Sequence, residues 1–315
     1  MDTAVKNKGI RRAMKFRAPV FVLPAFACFV ISFALPFVLG LYLSFCKFNV
    51  PRDAQWVGLA NYASAFADPG FRRSFLNSLL FMVASVICIN VPAFFIAYFL
   101  SETFKGVGLF RTAFFIPNLI GGVVLGYIWS MLFDGILSYF HTYLTSSPVY
   151  GLCGIVILVA WQQIGYMMII YIAGFKSVPT DMLEAAEVDG VTRAQKLFKI
   201  ILPNMISTIS VCMFLTLTNS LKMFDQNLAL TGGAPIKTLE NGMQVRTTEL
   251  LALNIYSTYN INANWHGTAQ AKAVIFFLLT GILAGLQLYL TKKSADMPKR
   301  KYSAKGGASK NEESQ

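Results

Sequence analysis

The sequence predicts an all-α membrane protein of six transmembrane helices with both termini cytoplasmic. Three observations carry that expectation. Only 13% of the 315 residues are charged and the mean hydropathy is +0.55, whereas soluble domains carry roughly 25% charged residues. Six charge-free runs are long enough for the hydrocarbon core, which takes about 20 residues of helix. Lys and Arg are distributed unevenly between the runs, which sets an orientation.

Taken in order, residues 1–17 form a basic cytoplasmic tail, "KNKGIRRAMKFR" included, ahead of a first span at 18–46. That run is too long for a signal-peptide core of about 7–15 residues and no small-x-small cleavage pattern follows, so it is expected to be retained. Further spans are expected at 74–101, 110–133, 152–175, 200–222 and 272–292, within a permease domain of 18–293. Each must be helical, because backbone groups in lipid have to be satisfied within the segment. Pro92 and Gly121–Gly122 lie inside spans, where they mark kinks or close packing. "LSYFHTYLTSSP" reads as an interfacial loop before span four, and "LTGGAP" as a turn in the outer loop after span five. With the N-terminus inside, most of the 27 Lys and Arg residues fall on the cytoplasmic side. Residues 294–315 are polar and expected to be a disordered cytoplasmic tail.

Composition also narrows chemistry. The five cysteines are scattered in apolar settings and the two histidines, His141 and His266, lie far apart, so no metal site or disulfide framework is expected. No paired carboxylates or nucleophile elbow stands out, so no catalytic residue is expected. A net charge of +12 spread between apolar runs does not make a nucleic-acid face. A stand-alone ion-coupled transporter is the alternative, but the interiors of the runs lack the acidic residues or His that such proteins commonly place there.

The polar stretch "EAAEVDGVTRAQKLFKIILP", Glu184–Pro203, interrupts this pattern on the cytoplasmic side, between spans four and five. Pro179, Thr180 and Asp181 are helix-start signals. "DMLEAAEVD" is a good helix former, and Gly190 stands where a left-handed residue ends such a helix. Thr192 with Gln195 fits a capping box that opens a second helix running to Pro203. Met182, Leu183, Ala186 and Val188 give the first helix a modest apolar face, and Glu184, Glu187 and Asp189 give it negative charge. The residues alone allow either a solvated connector or a docking element for a cytoplasmic partner.

That stretch resembles the EAA loop of ABC-importer permeases, whose pattern is E-A-A, three residues, G, nine residues, I-x-L-P. Glu184, Ala185, Ala186, Gly190, Ile200, Leu202 and Pro203 match it at every position. "LFRTAFFIPNLIGG", "WQQIGYMMII" and "KMFDQNLALTGGAP" further resemble the carbohydrate-uptake branch, the maltose and multiple-sugar type. The resemblance implies a multi-pass permease subunit of the bacterial cytoplasmic (inner) membrane, with 177–203 as a coupling loop that carries the EAA coupling helix. Glu184, Ala185, Ala186, Asp189 and Gly190 would be its contact with an ATPase. It further implies two ATPase subunits, a second and non-identical permease, and an extracytoplasmic binding protein. ATP and Mg would be used by the ATPase, with no cofactor bound by this chain, which lacks any G-x-x-x-x-G-K-[ST] motif.

A sugar path needs uncharged polar side chains and aromatic faces. Thr216, Asn219, Ser220 and Met223 follow i, i+3, i+4, i+7 spacing on span five, one helical stripe. Span four offers Gln162, Gln163 and Tyr166. The positions matching these seven line the substrate path in the family, and they are the candidates here. Lys222 and Asp225 at the outer end of span five are expected to pair or to snorkel.

Overall fold

The computed structural model describes residues 22–102, 104–240, 242–261 and 263–312; of residues 263 and 292–312 only the backbone is described. The expected N-terminal tail, 1–17, and the end of the C-terminal one lie outside the described residues. Among the described residues, four helices are long and apolar enough to span a membrane: α1 (Val22–Leu43), α3 (Pro69–Ser101), α6 (Pro148–Lys176) and α12 (His266–Glu312), the last through its apolar part, His266–Thr291.

Two further candidates are bent pairs. α4 (Val107–Phe115) runs through a 3-10 turn to Leu119 and meets α5 (Gly122–Ser138) at 99°, and α8 (Arg193–Asn204) meets α9 (Ile206–Leu221) at 71°. Counting each pair as one span gives six. The first bend falls at Gly121–Gly122, marked in the sequence as a place for a kink, whereas α3 runs through Pro92 unbroken. The second departs from the straight span expected at 200–222. There Pro203 removes a backbone donor after a π-helical turn over Leu197–Ile201. Met205 closes the bend at φ −94°, ψ 1°. Spans two and four begin earlier than expected because polar residues cap them. Asp68 Oδ1 accepts from the Gly70 amide at 2.8 Å, and Ser147 Oγ accepts from that of Val149 at 3.3 Å. The backbone of α12 continues as helix to Glu312, through most of the stretch expected to be a disordered tail.

The chain divides into two compact units. One holds the described residues up to Ala67 together with Thr258–Val274. In it, β1 (Cys46–Lys47) pairs antiparallel with β2 (Gln55–Trp56), and α2 (Ala60–Ala67) supplies Asn61, whose amide donates to the Ser44 and Cys46 carbonyls at 2.9 Å each. Lys272 is buried and donates to Thr258 Oγ1 at 2.7 Å. Helix α1 has no buried stretch along its apolar window, as a lipid-facing helix requires.

The other unit holds Asp68–Ser257 and the chain from Ile275. Its core forms where α3, α6 and α9 pack, with Phe81, Ile89, Ala97, Leu158, Met168 and Met205 buried. Gly165 on α6 lies against the backbone of α4: a Cβ there would stand 1.8 Å from the Phe114 carbonyl oxygen. After α9, α10 (Asp225–Leu230) leads into a hairpin, β3 (Ile236–Thr238) with β4 (Gln244–Arg246), and then α11 (Leu251–Ile261). Asn227 is fully buried and stitches this segment. Its amide donates to the Thr248 carbonyl at 3.0 Å, and its oxygen accepts from the Leu250 amide at 2.9 Å.

Candidate functional site

The polar loop folds into the two helices that its spacing predicts. Helix α7 (Thr180–Val188) ends in a Schellman motif: Val191 N–H donates to the Ala186 carbonyl and Gly190 N–H to that of Glu187, both at 3.1 Å. Gly190 takes φ +68°, a left-handed conformation that costs other residues about 1–2 kcal/mol. Thr192 and Gln195 form the reciprocal capping box at the start of α8. Of the candidate coupling residues, Glu184, Ala185, Asp189 and Gly190 are exposed, while Ala186 is buried. Met182 and Val188 are also exposed, Val188 at 87%. Apolar side chains on a short polar helix are therefore left uncovered. Glu187 and Lys196 form an ion pair that bridges α7 to α8. The Lys196 hydrogen bond first, and its charge second, hold the Glu187 carboxyl below the usual glutamate range.

Five of the seven candidate path residues come together. Gln163, Thr216, Asn219, Ser220 and Met223 line one cleft with Ile89, Val159 and Met167. Its volume of about 10 Å³ is room for about one water, so the cleft is shut. The lining carries no charged side chain. Ser220 Oγ donates to the Thr216 carbonyl at 2.7 Å, and Thr216 Oγ1 to that of Cys212 at 2.9 Å. The Gln163 and Asn219 side-chain amides make no hydrogen bond among the described residues.

Gln162 and Tyr166 do not line the cleft. Gln162 is buried on another side of α6, donating to the Ile120 carbonyl at 3.0 Å and accepting from Gln226 at 2.8 Å. Adjacent helical positions lie about 100° apart, so two neighbouring glutamines do not share one wall. Tyr166 is half-buried and packs on the hydrophobic core. Lys222 and Asp225 are both exposed and form no ion pair with each other, so the pairing expected of them is not made. Asn90, on α3, borders this region and was not legible as a site residue: in the sequence it is a single amide in an apolar run.

Apolar helices of spanning length, a capped polar loop between α6 and α9 and a shut polar cleft fit a membrane transport component. The chain belongs to the family of binding-protein-dependent transport system inner membrane components, which matches residues 60–295. It is accordingly a permease subunit of a multi-pass membrane kind rather than an enzyme. It is 36% identical over 283 residues, 87% of this chain and 93% of the relative, to the probable starch degradation products transport system permease protein AmyD of Thermoanaerobacterium thermosulfurigenes. It is 28% identical to the multiple sugar-binding transport system permease protein MsmF of Streptococcus mutans, over 84% of this chain and 91% of the relative. Its fold matches a chain of a bacterial ABC transporter involved in the import of the acidic polysaccharide alginate, with a TM-score of 0.75 at 20% identity, covering 90% of this chain and 98% of that one.

Proposed function

We propose that this chain forms half of the pathway of an ABC importer for a neutral carbohydrate, an oligosaccharide, delivered by an extracytoplasmic binding protein. It would cross a bacterial inner membrane six times with both termini cytoplasmic. Helix α7 would seat in an ATPase subunit, one of two, with a second, non-identical permease completing the pathway. ATP and Mg would be bound by the ATPase subunits.

The observation that carries this reading is α7, a nine-residue helix capped at its C-terminal end and flanked by apolar helices, with Met182 and Val188 uncovered. A partner surface would remove them from water. The neutral lining of the cleft favours an uncharged sugar over an acidic one or a phosphate ester. Closure of the ATPase would push α7, and the Glu187–Lys196 bridge and α8 would carry the displacement to α9. The test is to purify the tagged chain from its own membranes in mild detergent and reconstitute what accompanies it. The expected result is an ATPase and a second permease, with sugar uptake that needs both ATP and the binding protein. A chain that comes out alone and moves solute without ATP would overturn the proposal and favour ion-coupled transport.

A further inference from the structure

Between the cleft and α8, the second helix of the polar loop, lies a buried hydrogen-bond relay. Tyr171 Oη, on α6, donates to Asn90 Oδ1 on α3 at 2.9 Å. The Asn90 amide donates to Thr216 Oγ1 on α9 at 3.0 Å and to the Val86 carbonyl at 3.0 Å. All three side chains are at least nine-tenths buried: Tyr171 is 1% exposed, Asn90 7% and Thr216 1%. The relay therefore ties three separate helices together inside the core.

Its two ends face different spaces. Thr216 lines the shut cleft. Asn90 and Tyr171 line an apolar groove of about 390 Å³, into which α8 brings Leu197, Phe198 and Leu202. Asn90 thus borders the groove of α8 and at the same time holds a cleft-lining residue directly. An amide in such surroundings is costly unless its partners are kept. A displacement of α9 relative to α3 has to break the Asn90–Thr216 bond or carry Asn90 along.

We propose that Asn90 is a positioning residue, a latch that holds α9 against α3 and α6 in the shut state and whose release accompanies opening of the cleft. The inference rests on the importer reading above. Removing the latch destabilises the shut state selectively, so ATP hydrolysis in the absence of binding protein rises and solute moved per ATP falls. A net hydrogen bond is worth roughly a fivefold change in such an equilibrium.

The test uses the complete importer in proteoliposomes, with Asn90→Leu and, as a milder change, Tyr171→Phe. ATP hydrolysis is measured with and without binding protein alongside sugar uptake. The expected result for Asn90→Leu is about fivefold more hydrolysis without binding protein and a lower uptake per ATP, with Tyr171→Phe intermediate. Should Asn90→Leu fail to assemble, Tyr171→Phe decides. Unchanged binding-protein dependence and unchanged uptake per ATP overturn the latch, as does a parallel fall of hydrolysis and uptake, which marks a purely structural role. If the unaltered complex shows no ATP-driven uptake, the importer reading fails and the latch fails with it.

Discussion

Gly190 stands in open space, with nothing near the position a Cβ would occupy, so its constraint is backbone conformation alone. Gly190→Ala is expected to cost about 1–2 kcal/mol of local stability, read as faster amide exchange across 180–196 in an otherwise intact protein. Glu184 is exposed and makes no hydrogen bond or ion pair among the described residues, so Glu184→Lys is expected to leave membrane insertion unchanged and to abolish ATP-driven uptake. Uptake at the wild-type level would show that α7 does not couple the chain to an ATPase. Glu187 tests the neighbouring bridge. Its carboxyl is held below the ordinary value of 4.5, so the contribution of the pair is fully present above that pH and is lost as the pH falls through the lower folded value. Amide exchange in α7 and α8 should therefore be flat in its pH-corrected rate from about pH 6 to 8 and rise only in acid.

At the scale of elements, close crossings fix the helices. Gly165→Ala would drive a Cβ into the Phe114 carbonyl, a backbone group that cannot swing aside, and is expected to cost more than the usual overpacking penalty of about 1–3 kcal/mol. The measurement is the thermal midpoint in detergent, together with the yield of folded protein. The capping box of α8, the C-terminal glycine of α7 and the i, i+3, i+4, i+7 stripe were legible in the sequence because they are local, although the Asp68 and Ser147 caps were not read. Thr192 with Gln195 needs only its own turn, and Thr216, Asn219, Ser220 and Met223 share a face in any helix. The facing of Gln162 was not legible, because its partners, Ile120 and Gln226, are distant in sequence. The bend at Met205 escaped for a related reason: Pro203 permits a break, while packing decides its angle.

For the molecule as a whole, composition and the uneven placement of Lys and Arg were enough to predict a helical membrane protein, because lipid leaves the backbone few alternatives. The Asn90 relay was beyond that reading, since nothing local distinguishes an amide that ties three helices from one that faces a headgroup. Long-range partners of that kind are settled only when the helices choose their neighbours, a choice that hydropathy does not encode. The division into two units was equally hidden, as Thr258–Val274 joins residues from the opposite end of the chain.

The stitching by Asn227 has a practical corollary. It anchors the chain on either side of the β3–β4 hairpin, while Lys237, Glu240, Gly242 and Met243 stand exposed at the hairpin itself. A short epitope inserted between those strands should be accommodated without disturbing the anchored backbone. Under the orientation proposed above, antibody is expected to reach it in intact spheroplasts. Labelling that appears only after permeabilisation would turn the whole chain over in its membrane.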